Sequence, residues 1–152
     1  MWFSRKQVAK SPQGQAGVDS GLREASQITT KRLGDAAESV ALAHLAKAGL
    51  KRVETNYRTP GRGGGEIDLI MRESDGTLVF IEVRHRSGQS HGGAGGSISA
   101  IKQQRIIFAA RHYLMRFRSL PPCRFDVVLV QGALAGPESA HIEWLRGAFD
   151  AS

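Results

Sequence analysis

At 152 residues the chain holds one ordinary domain and little more, and its single cysteine, Cys123, excludes an intrachain disulfide and a cysteine-based zinc site. A formal charge of +7 and a pI near 10.2 favour a polyanionic partner, most simply nucleic acid, over an acidic small molecule. No apolar run approaches the ~18 residues that span a bilayer, and the basic start lacks the apolar segment of a secretory signal, so no membrane role and a cytoplasmic location are expected.

Residues 1–30 are rich in Gln, Ser, Gly and basic side chains without periodicity, which reads as a flexible basic extension. From Lys31, Leu33, Ala37, Val40, Ala41, Leu45 and Ala48 recur at helical spacing, and Gly49 is placed as a stop, predicting a helix over 31–50. Residues 51–59 read as a strand ending at Pro60 and the turn "GRGGG". The runs "GEIDLIMR" and "LVFIEVRHR" predict antiparallel neighbours joined through Asp75-Gly76. "SGQSHGGAGGS" has loop composition. After it Ser97 or Ser99 can cap a second helix with Ile106, Ala110, Leu114 and Phe117 on one stripe, stopped by Pro121-Pro122. "CRFDVVLVQG" reads as a buried strand, a Gly/Pro turn follows, and "AHIEWLRG" reads as a weaker edge strand. The order αβββαββ predicts an α/β domain over 31–149, a mixed β-sheet flanked by helices, with a short tail at 150–152.

Two of the predicted buried strands carry acids, Asp68 and Glu82. Alternation puts Glu66, Asp68 and Ile70 on one face of their strand, and Phe80, Glu82 and Arg84 on one face of the next, so a suitable hairpin register makes Asp68 and Glu82 neighbours. Glu38 lies on the apolar side of the first helix, with Ala41, Leu42 and Leu45 at helical spacing, and Lys102 on that of the second, with Ile106, Ala109 and Tyr113. Converging carboxylates repel by roughly 1–4 kcal/mol per pair at ~4 Å. A hard divalent cation, Mg²⁺ or Mn²⁺, removes that cost; the alternative is internal ion pairing of Asp68 with Arg84 and of Glu82 with Lys102.

An acid on the first helix, an Asp on a strand and "Glu82-Val83-Arg84" on the next resemble the PD-(D/E)xK nuclease superfamily, which includes restriction enzymes and Holliday junction resolvases. More closely, "LGDAAESVALAHL", "NYRT", "GEIDLI", "FIEVRHR", Lys102, "RFDVVLV" and "HIEWLRGAF" resemble the YraN family of small bacterial proteins, in order over residues 33–149. The resemblance implies a restriction-endonuclease-like core, with Glu38, Asp68 and Glu82 as metal ligands and the Val83 carbonyl as a further one. It implies a Mg²⁺-dependent endonuclease acting on DNA, branched or damaged by analogy with resolvases, or a nuclease-fold protein that binds nucleic acid or a DNA-processing partner without cutting. A homodimer is also implied, although the surface pattern offers no self-complementary patch.

Arg84 stands where such nucleases carry lysine. A guanidinium stays protonated and cannot serve as a general base, but it can neutralise charge on a phosphoryl transition state. Lys102, near a helix start, reads as a phosphate anchor or as a substitute for that lysine. On the second helix Arg105, His112 and Arg116 share one face and Arg111 and Arg118 another. Together with Arg58 and Arg62 they are candidates for a phosphate-tracking rim without sequence specificity. His85 points to the face opposite Arg84, His91 falls in the glycine loop, and His44, His112 and His141 are isolated.

Overall fold

Helix α1 (Gln15–Lys47) is 33 residues long and begins well before the predicted Lys31. From Gly21 to Lys31 its side chains with a described exposure lie open to solvent, so no apolar stripe marks this half in the sequence. A helix already nucleated by packing can propagate through such residues at little further cost. The packed half carries Ala37, Ala41 and Leu45, each nearly or wholly excluded from water. It ends where Gly49, at φ 105°, turns the chain and the Leu50 N–H donates to the Leu45 carbonyl at 3.1 Å. The computed structural model describes residues 15–86, 98–132, 134 and 140–151. The first fourteen residues, the glycine loop with His91 and Ser97, and most of the turn before the last strand lie outside them. The chain divides into two units, Met1–Arg32 and Leu33–Ser152.

The second unit contains β1 (Lys51–Arg58), β2 (Glu66–Arg72), β3 (Leu78–Arg86), α2 (Ala100–Leu114), β4 (Cys123–Gln131) and β5 (His141–Phe149). The strands form one five-stranded sheet in the order β1-β2-β3-β4-β5. The pairs β1–β2, β2–β3 and β4–β5 are antiparallel, and β3–β4, joined across α2, is parallel. The β2–β3 turn closes as its Asp75-Gly76 pair requires, with Gly76 at φ 92° and the Thr77 N–H donating to Asp75 at 2.9 Å.

One face of the sheet buries Leu69, Met71, Val79, Ile81, Val128 and Val130 with the apolar stripe of α1. The other buries Ile67, Ile70, Phe80, Val127 and Leu129 with Ile106, Ala109, Ala110 and Tyr113 of α2. Side chains as fully enclosed as Phe80 and Ile81 contribute about 2 kcal/mol each relative to exposure. Helices on both faces of a mixed sheet, with the acid-bearing hairpin inside it, make a restriction-endonuclease-like core. Among the described residues no helix is long and apolar enough to cross a membrane.

Helix α2 differs from expectation at its end. It stops at Leu114, before Pro121, because the bonding tightens: the Met115 N–H reaches the His112 carbonyl at 3.3 Å and the Phe117 N–H that of Leu114 at 3.1 Å. Arg116 Nε donates to the Tyr113 carbonyl at 3.0 Å. Phe117 still packs on the core, although it lies beyond the helix.

A buried ionic cluster fixes the β4–β5 pairing. Asp126, fully enclosed, accepts bonds from Arg124 at 2.8 and 3.1 Å, from Trp144 Nε1 at 2.8 Å and from the Gly147 N–H at 2.9 Å. These contacts sit at a register shift between Phe125 and Val127.

Candidate functional site

The β2–β3 ladder runs from Arg72↔Leu78 to Leu69↔Ile81, which brings Asp68 next in line opposite Glu82. There the regular pairing stops. The Val83 N–H, turned toward β2, is met by the Asp68 carboxylate at 2.8 Å. Alternation also breaks at this point, since Ile67 and Ile70 pack in the same cluster while Leu69 faces the other helix. Across the β1–β2 ladder, between the pairs Thr55↔Leu69 and Tyr57↔Ile67, Asn56 adopts φ 51°. A left-handed conformation costs a non-glycine residue about 1 kcal/mol, and asparagine tolerates it best.

Three acids share this break. Glu82 is nearly excluded from solvent, while Glu38 and Asp68 are half-buried. Burial, and then the Glu82 charge, push the Asp68 carboxyl up to about 8, although the Val83 N–H pulls the other way. Burial also raises Glu38, against a lowering hydrogen bond from Asn56, and the charges of Asp35, Glu66 and Glu82 raise it further. Among the described residues, however, no three His, Cys, Asp or Glu side chains draw together into one metal-coordinating group.

Lys102 enters from α2, where the Ser99 hydroxyl accepts the Lys102 backbone N–H at 3.2 Å and caps the helix. Its Nζ lies 2.5 Å from the Glu82 carboxylate, but its side chain is 52% exposed. The inward direction expected from helical spacing therefore holds only for the ammonium group; the stem lies along the surface, as long basic side chains commonly do. Of the two ion pairs considered as alternatives to a metal, that between Glu82 and Lys102 is formed.

The close approach of α2 rests on Gly65, and the closure of the loop before β2 on Gly64, two glycines whose run in the sequence predicts only a turn. A Cβ on Gly65 would stand 1.9 Å from the Arg105 carbonyl oxygen, and one on Gly64 would stand 2.2 Å from the Thr59 hydroxyl. That hydroxyl accepts the Gly65 N–H at 2.7 Å and closes the loop before β2. A run of three glycines was the available signal, and Asn56 had only its residue type.

The structure divides the predicted arginine rim. Arg105 and Arg111 line one open depression on α2 with Gly63 and Phe108. Arg58 is exposed and pairs with Glu66 at 3.3 Å, and Arg62 is exposed in the turn. Arg116 instead lies over the Tyr113 ring, 3.8 Å from its centroid, and pairs with Glu54 at 3.8 Å. Arg84 is half-buried on β3, level with Leu129 of β4. His85 Nε2 meets the Gly132 carbonyl at 3.1 Å, and His112 Nδ1 meets the Tyr57 hydroxyl, while His44 and His141 are exposed.

The fold and the acids at the parting strands define a restriction-endonuclease-like α/β protein. The chain belongs to the uncharacterised protein family UPF0102, whose sequence model matches residues 37–130. It is 70% identical over 155 aligned residues to a UPF0102 protein of Polaromonas naphthalenivorans (strain CJ2), covering all of both chains. It is 68% identical to one of Polaromonas sp. (strain JS666 / ATCC BAA-500), again over the whole of both. A UPF0102 protein of Cupriavidus taiwanensis is 54% identical, over 78% of this chain and 82% of its own.

Proposed function

We propose that this protein is a Mg²⁺- or Mn²⁺-dependent endonuclease acting on DNA, with branched or damaged DNA as its substrate class. The observation that carries the reading is the parting of β2 and β3 where Asp68 comes opposite Glu82, with Glu38 in electrostatic reach of both. An all-oxygen donor set of crowded carboxylates, one holding its proton up to about pH 8, fits a hard divalent cation that would take the place of that proton. Asp68 and Glu82 would hold it, with the Val83 carbonyl as a further donor, and Glu38 would join by drawing closer than it stands in this structure. The ion would supply polarisation of a phosphodiester oxygen and a more acidic water.

The protein's own groups do the positioning. Asp68, fixed by the Val83 N–H, is held at one side of the gap, and Glu82 at the other. Arg84 can donate two parallel N–H bonds to phosphate oxygens as negative charge accumulates. Lys102, half-exposed beside Glu82, can turn its ammonium to a phosphate.

A second reading has its own support. The 2.5 Å Lys102–Glu82 contact already neutralises the more buried acid, as a protein that binds nucleic acid without cutting would need. Cleavage of labelled linear, flapped and four-way-junction DNA with Mg²⁺ or Mn²⁺ separates the two. Metal-dependent cutting lost in Asp68→Asn and Glu82→Gln supports the nuclease. Intact binding without cutting in all three proteins leaves the binding module.

A further inference from the structure

The outer face of α2 exposes apolar side chains at a spacing of seven: Ile101 (71%), Phe108 (55%) and, just past the helix, Met115 (80%). Phe108 stands in an open depression of about 420 Å³. Arg105 and Arg111 lie three residues before and after it, so both flank the ring on the helix surface. Among the described residues no acid lines this depression and neither arginine pairs with a carboxylate. Arg111 donates to the Ala151 carbonyl at 3.3 Å, a neutral acceptor, so among the described residues its positive charge meets no carboxylate.

An exposed phenyl ring between two unneutralised guanidinium groups matches an unpaired nucleobase with the phosphates on either side of it. The ring offers a stacking surface to any base, and the arginines follow the backbone. A second copy of this chain fits less well, because a two-fold axis through Phe108 would bring the arginines of both copies together. Lys102, which touches Glu82, precedes Phe108 by six residues, about 9 Å along the helix axis. Along α2 the depression is thus about 9 Å from the residue that touches Glu82, and about 120° around the helix from it.

We propose that Phe108, with Arg105 and Arg111, is a stacking site for an unpaired nucleotide, which makes single-stranded or locally unpaired nucleic acid the preferred ligand. This rests on the nucleic-acid reading above and narrows its substrate class. Phe108 is exposed, so its replacement leaves the core intact.

The test is binding of fluorescently labelled single-stranded DNA, of the same strand with abasic positions, and of its duplex, measured by anisotropy in EDTA so that no cutting intervenes. Phe108→Ala is expected to weaken single-strand binding about 5- to 100-fold, and Phe108→Trp to retain it. The abasic strand is expected to bind wild type as weakly as the intact strand binds Phe108→Ala, with no further loss when the two changes are combined. Equal single-strand affinity in wild type and Phe108→Ala overturns this inference and leaves the nuclease reading standing. Absence of binding to every nucleic acid, in EDTA and with Ca²⁺ in place of Mg²⁺ alike, overturns both. A change in sedimentation on Phe108→Ala with unchanged DNA affinity assigns the face to self-association and also overturns the inference.

Discussion

Asp68 accepts the Val83 N–H at 2.8 Å, so a side chain satisfies a main-chain donor at the point where β2 and β3 cease to pair. That bond favours the ionised carboxylate, yet burial and the Glu82 charge outweigh it and leave the carboxyl at about 8. The metal-free protein therefore holds a proton that the unfolded chain releases near the ordinary value of 3.8. A raised folded-state value contributes stability that is complete below about pH 4 and lost as pH rises through about 8. The unfolding free energy from urea titration in EDTA is expected to fall across that window, by on the order of several kcal/mol at most, and the urea midpoint with it. Asp68→Asn is expected to remove most of the slope; a wild-type profile as flat as that of the variant would count against the buried proton.

Divalent cations act on the same charges. At pH 8, Mg²⁺ or Mn²⁺ is expected to raise the melting temperature by roughly 5 °C near saturation, from ~2–3 kcal/mol of linkage. Asp68→Asn and Glu82→Gln are expected to abolish the shift. Lys102→Ala is expected to enlarge it, because it removes the cation already on Glu82. An equal shift in wild type and Asp68→Asn places any bound ion elsewhere.

Gly65 sets the distance between α2 and the sheet. In Gly65→Ala the new methyl would lie 1.9 Å from the backbone oxygen of Arg105, which cannot rotate away as a side chain could. A loss of about 3 kcal/mol is expected in guanidinium unfolding. Gly34→Ala, in the interior of α1 with open space around it, is the control and is expected to gain about 1 kcal/mol. Similar effects at the two positions would show that the contact with Arg105 is soft.

Removing Asp126 leaves Arg124, Trp144 and Gly147 without their shared acceptor. Asp126→Ala is expected to cost about 3–5 kcal/mol. Trp144 fluorescence is expected to change with it, because the indole N–H loses its 2.8 Å bond. An unchanged spectrum in a destabilised variant would separate the indole from the cluster's energetics.

Much of this architecture was legible because it rests on side-chain periodicity. The Asp75-Gly76 turn, the continuous apolar runs of β3 and β4 and the stripe on α1 each correspond to one element, whereas the hairpin register that brings Asp68 to Glu82 was open in the sequence and is fixed by the pairing from Arg72↔Leu78 to Leu69↔Ile81. What was hidden depends on the backbone or on through-space reach. The described side chains of the first half of α1 lie open to solvent and form no stripe that would announce it. Asn56 takes a left-handed φ in β1, across from the break in alternation on β2, and neither leaves a periodic trace. Arg116 has the spacing of a surface arginine but spends its charge on Tyr113 and Glu54. Ser99 was one of two possible caps, and only its bond to Lys102 distinguishes it.

The left-handed turn at Asn56 also explains how charges from opposite layers meet. Beyond it, Tyr57 and Ile67 face α2, although the neighbouring Leu69 faces α1. β2 exchanges its two sides at Asp68, while β3 beside it alternates without a break from Phe80 and Ile81 past Glu82 to Val83. A helix on one side of the sheet and a helix on the other therefore address neighbouring carboxylates, Glu38 sensing Asp68 and Glu82 from one and Lys102 pairing with Glu82 from the other. In an uninterrupted pleat the sheet would insulate the two helices from each other; here it is a window between them.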